Sequence, residues 1–431
     1  MSSALLTLKA SLTRLLRQSP EHSSDALVIA YSGGVDSTVL LHCVKQIAQD
    51  LDLPPLFAFH VNHGLNKNAM LWQSHCATFC QTLNVPFASA TVEVKPRPRQ
   101  SLEAEARDQR YAALMAFCQE KNAALLLGQH EDDQLETLLL QLKRGAGPKG
   151  LSGMAESHWR DNVLLLRPML NISQSEIHKY ATDNNLNWVE DDSNKDTRFD
   201  RNFLRQQILP VLQQRWPQFA TTASRSARLC QEQSFLLQEV ITERLATLRT
   251  TTGALDVTRL NQFSYHWQKQ LLRTWLEESG LKLPSSAVLD QIVNMLTANQ
   301  DRQPLVQLDQ YQIRRFQGNL KIVTPLLPAP ETEVIVNENT PLSLSWWPVT
   351  FELTGSGGCT LIAGLPSIII RPEGSDVSKP LKTWLKSWHV PPWERKNVPI
   401  LFKESQPVAV ILKDTVKMLY SSPKGIVVKL Y

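Results

Sequence analysis

The residues with the clearest chemistry form a short glycine turn, Ser32-Gly33-Gly34-Val35-Asp36-Ser37. The glycines let the backbone approach a ligand closely and point successive N–H groups toward it. The start of the following helix adds partial positive charge, and the serine hydroxyls can donate hydrogen bonds. The turn therefore predicts a cradle for an anion, although a plain strand-to-helix turn capped by Asp36 or Ser37 would also explain it. The turn has neither the lysine of a Walker loop nor the spacing of a dinucleotide fingerprint.

A second polar run carries the acids Glu131, Asp132, Asp133 and Glu136. One aspartate at a helix start is expected for capping alone, but this many acids exceed what capping requires. Asp133 and Glu136 are three residues apart and share a helical face, whereas Asp132 points elsewhere. Clustered carboxylates predict a bound cation, which is either Mg2+ or the ammonium group of an amine substrate.

Two further runs carry histidine or arginine side chains. Asn62 and His63 follow an apolar run, which indicates either a loop that faces a ligand or an ordinary polar turn. Arg107 and Arg110 recur with Glu103 at helical spacing, so the three side chains share one face. Such a face is often only a solvated, salt-bridged surface.

Two segments further along the chain are rich in basic residues. Residues 143–151 form a glycine-rich basic loop, which suits either a flexible connector or a cover over phosphates. Residues 190–205 begin acidic and end in the pattern Arg-Asn-x-x-Arg, where Arg201 and Arg205 lie on one helical face. The glycine-rich loop is therefore a candidate for contact with phosphates.

The elements that position these residues alternate between apolar runs and amphipathic segments. Apolar runs predict strands, and the segments between them predict helices. The predicted strands are residues 26–31, 56–61, 86–92, 123–128 and 164–167, and the predicted helices are 36–47, 69–83, 101–120 and 132–142. Near-continuous apolar strands of this kind indicate an α/β fold whose parallel sheet is covered by helices on both faces. Ligands of such sheets lie beyond the carboxyl ends of the strands, where the polar runs fall.

The remainder of the chain predicts two more domains. Residues 213–299 have a helical pattern, residues 325–330 form a proline-rich linker, and short β-branched runs follow. We therefore expect a catalytic domain at 1–215, a helical domain at 216–325, and a small, mainly β domain with some helix at 326–431.

Composition places the chain among globular proteins. It has 431 residues, 42% hydrophobic and 20% charged, with a net charge of +4. No apolar stretch approaches the ~20 residues of a membrane span, and the first residues lack the pattern of a signal peptide, so we expect no membrane contact and a cytoplasmic protein. The cysteines are scattered, which favours small buried residues over a metal or redox site. Oligomeric state is left open, with a homodimer as one option.

The glycine turn resembles the pyrophosphate-binding motif of the N-type ATP pyrophosphatases. The resemblance implies that ATP is cleaved to AMP and pyrophosphate, with AMP carried transiently on a substrate oxygen, and that residues 32–37 bind ATP. Pyrophosphate develops charge that oriented N–H dipoles and Mg2+ can stabilise. Asp36 has the oxygen ligand that this hard cation prefers, and is therefore the expected metal and catalytic residue.

Within that class the chain is similar to the transfer-RNA lysidine synthetases. The similarity lies in Asn62-His63-Gly64, in the Arg-x-x-Arg-Tyr signature that starts at Arg107, in His-x-Asp-Asp-x-x-Glu-Thr at 130–137 and in Arg-Asn-x-x-Arg at 201–205. It is dense over residues 1–215 and looser in residues 371–399. Glu131 stands where a smaller residue is commoner in that family.

The similarity also implies roles for single residues. Arg107 would contact the phosphates and stabilise the adenylation transition state. Asp133 and Glu136 would hold the lysine, and a carboxylate there could also accept a proton. Asn194 and Arg205 would shape the lysine and nucleotide site. His63 and Asp132 would line the same pocket.

The reaction implied by the similarity has three substrates and needs Mg2+. ATP would adenylate the C2 oxygen of the wobble cytidine in the CAU anticodon of tRNA(Ile). Free L-lysine would then displace AMP through its side-chain amine, so that the tRNA reads AUA as isoleucine. A base in an RNA loop can be splayed into a pocket, which suits this chemistry.

Three alternatives are compatible with parts of the pattern. A transfer-RNA thiolase of the same class would require paired cysteines near the motifs, which the sequence lacks. A small-molecule amidotransferase or ligase would need no RNA-binding tail. A non-catalytic RNA-binding protein would have no reason to retain the intact turn and the acidic cluster.

Overall fold

The structure is a computed structural model. It describes residues 2–17, 24–64, 68–94, 102–191, 196–297, 304–355, 358–423 and 425–431, with backbone only at 102 and 103. The chain forms two compact units, Met1–Glu239 and Val240–Tyr431. Each unit has its own sheets and its own apolar cores.

The first unit contains one six-stranded sheet. Its strands are β1 (Ala26–Ala30), β2 (Leu56–Asn62), β3 (Phe87–Thr91), β4 (Ala123–Leu126), β5 (Ser157–Arg160) and β6 (Val163–Leu166). The order across the sheet is β3-β2-β1-β4-β6-β5, and every neighbouring pair is parallel except β5 with β6. The predicted parallel sheet is confirmed.

Helices cover both faces of this sheet. In chain order they are α1 (Ser3–Arg17), α2 (Val35–Asp50), α3 (Ala69–Thr82), α4 (Leu102–Glu120), α5 (Glu131–Lys143), α6 (Pro148–Leu151), α7 (Gln174–Asp183), α8 (Asp200–Phe203) and α9 (Leu209–Arg215). Because side chains alternate along a strand, Leu27 and Ile29 of β1 pack into the core shared with α1, α2 and α7, while Val28 packs into the core on the α4 side. Burial on both faces explains why the strands are apolar throughout.

The strand order creates a crevice between β1 and β4. After β1 the chain moves to β2 and β3 on one side, then returns to place β4 on the other side of β1. The carboxyl ends of neighbouring strands whose connections diverge leave such a crevice open to ligands. The glycine turn follows β1 and the acidic run follows β4, so topology alone brings the two motifs together.

The edge hairpin of β5 and β6 was not predicted. All four residues of β5 are exposed, and Ser157-His158-Trp159-Arg160 has no apolar run to reveal a strand. Asp161 and Asn162 both adopt a positive φ, as the two-residue hairpin turn between the strands requires. The antiparallel strand therefore depends on turn chemistry rather than on burial.

A π-helical stretch, Leu204–Ile208, joins α8 to α9. The Leu209 N–H donates to the Leu204 carbonyl, five residues back. Pro210 has no N–H for the carbonyl four residues before it, and its ring crowds that carbonyl, so the preceding turn widens. Local sequence thus accounts for the irregular turn.

A long helix, α10 (Phe219–Leu248), starts in the first unit and ends in the second. The second unit continues with α11 (Val257–Leu260), α12 (Tyr265–Glu278), α13 (Ser286–Thr297), β7 (Leu255–Asp256), β8 (Leu305–Leu308), β9 (Tyr311–Phe316) and β10 (Asn319–Val323). The strands form an antiparallel sheet in the order β7-β10-β9-β8. The sequence predicted only helices here and missed this sheet. Its hairpins turn in two residues, with positive φ at Asp309 and at Gln317-Gly318.

The carboxyl-terminal part is mainly β, as predicted. Its elements are β11 (Val334–Val336), β12 (Leu342–Ser343), β13 (Thr350–Thr354), β14 (Cys359–Ile362), β15 (Ile369–Ile370), β16 (Lys379–Pro380), α14 (Leu381–Ser387), β17 (Ile400–Lys403), β18 (Gln406–Ile411), β19 (Val416–Met418) and β20 (Val427–Leu430). Sheets β11-β14-β17-β18-β19 and β12-β13-β20 are antiparallel and share one apolar core, which includes Trp347 and Phe351. Among the described residues, no helix is both long and apolar enough to cross a membrane.

The packing of the helices against the sheet can be tested by comparing a buried helix residue with an exposed one. Leu40 of α2 is fully buried, whereas Leu71 of α3 is 70% exposed. Leu40→Ala should lower the free energy of unfolding of this unit by about 2–5 kcal/mol, because it removes packed methyl groups and leaves a cavity. Leu71→Ala, the matched control, should change it by no more than about 0.5 kcal/mol. Denaturant unfolding followed by circular dichroism checks both; equal effects would contradict the layer assignment.

Candidate active site

The glycine turn lies at the carboxyl end of β1, where the chain enters α2. Gly33 has φ of +87°, a conformation that favours glycine, and a Cβ there would lie 2.8 Å from the Cys76 sulfur. The Val189 N–H donates to the Gly33 carbonyl at 2.9 Å. The turn is therefore fixed from both sides and cannot accept a side chain at its first glycine.

Hydroxyl groups tie the turn to the first turn of α2. Ser32 Oγ and Ser37 Oγ lie 3.1 Å apart, and Ser37 Oγ donates to the Gly34 carbonyl at 3.1 Å. Gly34 is the N-cap residue of α2 and supplies no side-chain cap. The sequence alternative of an Asp36 or Ser37 cap is thus not what the structure shows. The positive end of α2 faces the crevice without a capping side chain.

Asp36 is the acidic residue within this turn. Burial raises the pKa of its carboxyl group above the usual value, and nearby Asp133 adds to the rise while His130 opposes it. One carboxylate oxygen, Oδ1, is buried, and no hydrogen-bond donor reaches it in the part of the chain that the structure describes. His130 Nε2 lies 3.7 Å from that oxygen. A buried, unsatisfied carboxylate oxygen at an anion cradle suits a cation ligand.

Gly128 brings β4 against the same turn. A Cβ at Gly128 would lie 3.2 Å from the Asp36 carbonyl carbon and 3.2 Å from the Ser37 nitrogen. Two residues later, His130 is the N-cap residue of α5, and its N–H donates to Asp133 Oδ2 at 3.1 Å. The two motifs are therefore in direct contact, and His130, which the sequence gave no role, lies between their acids.

Two arginines bind the acids of α5. Arg201 Nε donates to Glu136 Oε2 at 2.8 Å, and Arg205 Nε donates to Glu136 Oε1 at 2.7 Å. Arg205 also donates to Asp133 Oδ1 at 3.2 Å. Glu136 is fully buried, whereas the Asp133 side chain is 14% exposed. The shared face predicted for Asp133 and Glu136 is present, and it faces the arginines of α8 and the π-helical stretch.

Asp132 and Glu131 point away from this pair. Asp132 accepts hydrogen bonds from the Gln174 N–H at 2.9 Å and from Gln213 Nε2 at 2.6 Å, so it joins the starts of α7 and α5 to α9. Glu131 hydrogen-bonds to Thr221 on α10, and burial raises the pKa of its carboxyl group. In this structure both side chains hold helices in place, and the pocket role of Asp132 stays a prediction.

The loop after β2 is organised by its own side chains. Asn62 Oδ1 accepts the Gly64 N–H at 2.9 Å, and the ring of His60 contacts the Tyr31 carbonyl at 2.9 Å. Burial lowers the pKa of His63, and the charge of Arg110 adds to the effect, which places His63 beside α4. A role for His63 toward a ligand stays a prediction.

Arg107 belongs to a group of arginines around Tyr111. The guanidinium carbons of Arg107, Arg110 and Arg160 lie 5.3, 5.9 and 4.8 Å from the ring centroid of Tyr111. Arg167 hydrogen-bonds to Tyr111 and to Gln129. The sequence singled out only the first two, which share α4, because Arg160 ends β5 and Arg167 follows β6, far along the chain. Together they form a cationic surface beside the sheet edge.

Two further predicted features of the site are Asn194 and the basic loop. Asn194 lies outside the described residues. Lys143 of the basic loop binds Asp200 of α8 at 2.7 Å, which ties α5 to the arginine-bearing segment. The rings of Trp384 and Trp388 stack on each other with centroids 5.7 Å apart, and both pack against the carboxyl-terminal core. All cysteines are free, and most are buried.

Three family models match successive parts of the chain. A PP-loop domain matches residues 5–212, a TilS substrate binding domain matches residues 255–320, and a TilS substrate C-terminal domain matches residues 360–414. The first match spans the sheet with both motifs of the crevice.

Curated relatives extend over most of the chain. A tRNA(Ile)-lysidine synthase of Vibrio vulnificus is 43% identical over 398 residues, which cover 89% of this chain and 91% of the relative. The chain belongs to the tRNA(Ile)-lysidine synthase family. Two other family members, from Pectobacterium atrosepticum and Coxiella burnetii, are 40% and 36% identical over 402 residues each, with 90% of this chain covered by both and 90% and 89% of the relatives.

Membership of the tRNA(Ile)-lysidine synthase family confirms the predicted family and the PP-loop class of the sheet. It also confirms the prediction of a ligase over the thiolase and the non-catalytic RNA-binding protein. The roles of the single residues named above stay predictions.

The contact between Gly128 and the turn can be tested with one methyl group. Gly128→Ala should push the start of α2 away from β4 by a few tenths of an ångström. We expect ATP-dependent pyrophosphate release to fall by about tenfold or more, because small misplacements of binding groups are costly to catalysis. Steady-state kinetics and a thermal melt check this. Unchanged pyrophosphate release in a folded variant would contradict the importance of the contact.

Glu131 gives a pH-dependent stability test. Because its folded-state pKa is raised above the ordinary value of 4.5, the folded protein binds the proton more tightly than the unfolded chain. Stability therefore falls as the pH rises from 4.5 to the folded-state pKa, and the full penalty is present above it. Glu131→Gln keeps an acceptor for Thr221 and removes that penalty.

The variant should thus be more stable than the parent at neutral pH, and the gain should shrink as the pH falls toward 4.5. Urea unfolding across this pH range measures the difference. The exposed Glu120→Gln on α4 is the matched control. A gain that grows on acidification would contradict the assignment.

Proposed function

We propose that the chain joins free L-lysine to C2 of the wobble cytidine in the CAU anticodon of tRNA(Ile), at the expense of ATP. The single observation that carries the proposal is the close packing of Gly128 and His130, which lead directly into the segment of Asp133 and Glu136, against the glycine turn, in a chain of this family. One motif suits a phosphate chain and the other an amine, and the reaction needs both within one crevice.

In the first step, residues 32–37 would hold the ATP phosphates. Backbone N–H groups at the start of α2 and the Ser32 and Ser37 hydroxyls would bind pyrophosphate as it leaves. The cytidine C2 oxygen forms a bond to the α-phosphorus as the bond to pyrophosphate breaks, which leaves AMP on the base. Arg107, at the edge of the cationic surface, would reach the phosphates with its fixed fork of donors.

Mg2+ fits Asp36. Its buried Oδ1 accepts no hydrogen bond from the residues that the structure describes, and an oxygen ligand beside a phosphate cradle is what this cation prefers. Among the described residues there is no cluster of three or more metal-ligating side chains, so phosphate oxygens and water would complete the coordination. Bound there, the ion would neutralise charge on the leaving pyrophosphate.

In the second step, the side-chain amine of lysine would attack C2 and AMP would leave. Asp133 and Glu136 would bind the ammonium group, and Asp133, which is partly exposed, could accept the proton that the amine loses. Arg205 and Asn194 would shape the site for lysine and the nucleotide, with His63 and Asp132 as further pocket residues. The product is lysidine, with AMP and pyrophosphate released.

The RNA would be bound by more than the crevice. The arginines around Tyr111 offer cations to the RNA backbone, and phosphate contacts of this kind set the register of an RNA on a protein.

We also propose the three-domain division at 215 and 325, with the last two domains on the tRNA body. Separate apolar cores within residues 241–322 and 326–430 support it. The cytoplasmic location and the homodimer stay predictions.

The direct test is mass spectrometry of tRNA(Ile) incubated with the protein, ATP, Mg2+ and labelled lysine. We expect label on the wobble cytidine and one pyrophosphate per lysine. Asp36→Asn should reduce pyrophosphate release by about a hundredfold or more, because it removes an anionic ligand from the charged transition state. A tRNA with another wobble base is the matched control. No pyrophosphate release from the parent protein would refute the proposed function.

A further inference from the structure

The acids assigned to lysine are already occupied by protein cations. Both oxygens of Glu136 accept a guanidinium N–H, at 2.8 Å from Arg201 and 2.7 Å from Arg205, and its side chain has no exposed surface. A substrate ammonium therefore cannot reach Glu136 while both arginines stay in place. One of them has to leave when lysine binds.

The contacts decide which arginine can leave at the lower cost. Arg205 bridges the pair, with bonds to Glu136 and to Asp133 at 3.2 Å. Arg201 has one strong bond, to Glu136, and one weak bond, to the Thr137 hydroxyl at 3.4 Å, while its nearest approach to Asp133 is 3.9 Å. Arg201 thus loses a single charge-assisted hydrogen bond on leaving, whereas Arg205 loses two.

We propose that Arg201 is an exchangeable counter-ion of the lysine site, and that the substrate ammonium takes its place on Glu136. The inference rests on the proposed function and adds a residue that selects for the substrate. Exchange of one cation for another keeps the buried carboxylate neutralised at every stage, which avoids the high cost of an unpaired buried charge. The ammonium brings three donors to replace the guanidinium.

The exchange has a consequence for selectivity. A ligand without a cationic group cannot displace Arg201, so the site stays closed to neutral amino acids of similar length. A shorter cation is also disfavoured, because it has to reach a fully buried carboxylate. Arg205 remains on both acids and keeps them together.

The exchange makes opposite predictions for two substitutions at one position. In Arg201→Ala the competing cation is gone, so the KM for L-lysine should fall by about tenfold if the closed form dominates, since affinity is reduced by the fraction of protein that is open. In Arg201→Lys a tethered ammonium can stay on Glu136, so the KM should remain at or above the parent value. Arg198→Ala is the matched control, because Arg198 is exposed, lies just before Arg201 in the sequence, and donates to Asp196 at 2.6 Å.

The experiment measures lysine-dependent AMP formation and, separately, binding of labelled L-lysine by equilibrium dialysis. Methylguanidinium should compete with lysine in Arg201→Ala more strongly than in the parent, because it fills the vacated position. If Arg201→Ala does not fold, Thr137→Val removes the weak bond to Arg201, together with the bond from the Thr137 hydroxyl to the Asp133 carbonyl at 2.8 Å, and should lower the KM in the same direction by a smaller factor.

A KM that rises in Arg201→Ala, or no competition by methylguanidinium, would overturn the exchange and leave Arg201 as a support for Glu136. Failure of the proposed function looks different. In that case the parent protein neither binds lysine nor forms AMP with it, whatever residue stands at 201.

Discussion

A carboxylate that is removed from water must be neutralised by a partner of opposite charge. Glu136 is such a carboxylate, and its pairing with Arg201 and Arg205 is the interaction on which the rest of the site depends. The acid sits on the first turns of α5, and the arginines come from a segment about seventy residues further on. Their bonds hold α8 and the π-helical stretch against α5, so the wall of the crevice is held largely by charge. Loss of both arginines would leave the Glu136 charge buried and unpaired, which is more damaging than loss of a surface pair.

The crevice itself follows from the order of strands. Because β4 returns to the side of β1 opposite β2, the two loops that carry polar side chains leave the sheet next to each other. Gly128 then has to be small, since the backbone of Asp36 and Ser37 passes within van der Waals contact of its Cα hydrogens. The phosphate-binding turn and the amine-binding acids are thus neighbours for reasons of topology and packing, before any charge is considered.

The sequence was informative where a property is local. Apolar runs predicted β1 to β4 and β6, the glycines predicted the turn, and helical spacing placed Asp133 and Glu136 on one face. It was uninformative where a property depends on distant partners. Spacing does not reveal that Asp132 accepts hydrogen bonds from Gln174 and Gln213, or that Glu131 hydrogen-bonds to Thr221. Carboxylates at the start of a helix have the same sequence pattern whichever partners they bind. The β5 hairpin was missed because β5 is exposed, and the β7–β10 sheet was missed because β7 is very short and polar residues interrupt the apolar pattern of β8, β9 and β10. Their turn residues are the clearer signal.

Pro210 and the widened turn before it determine the directions in which side chains before and after the turn point around the helix axis. Arg205 and Gln213 are eight residues apart, which in a regular α-helix would rotate them by about 80° from each other. One additional residue taken up in the π-helical turn reduces this to about 20°, so that Arg205 meets Glu136 and Gln213 meets Asp132 on the same neighbouring helix. Loss of a single residue between them would misalign every contact downstream, even if each side chain were retained. Length in this segment is therefore more tightly constrained than residue identity at most of its positions.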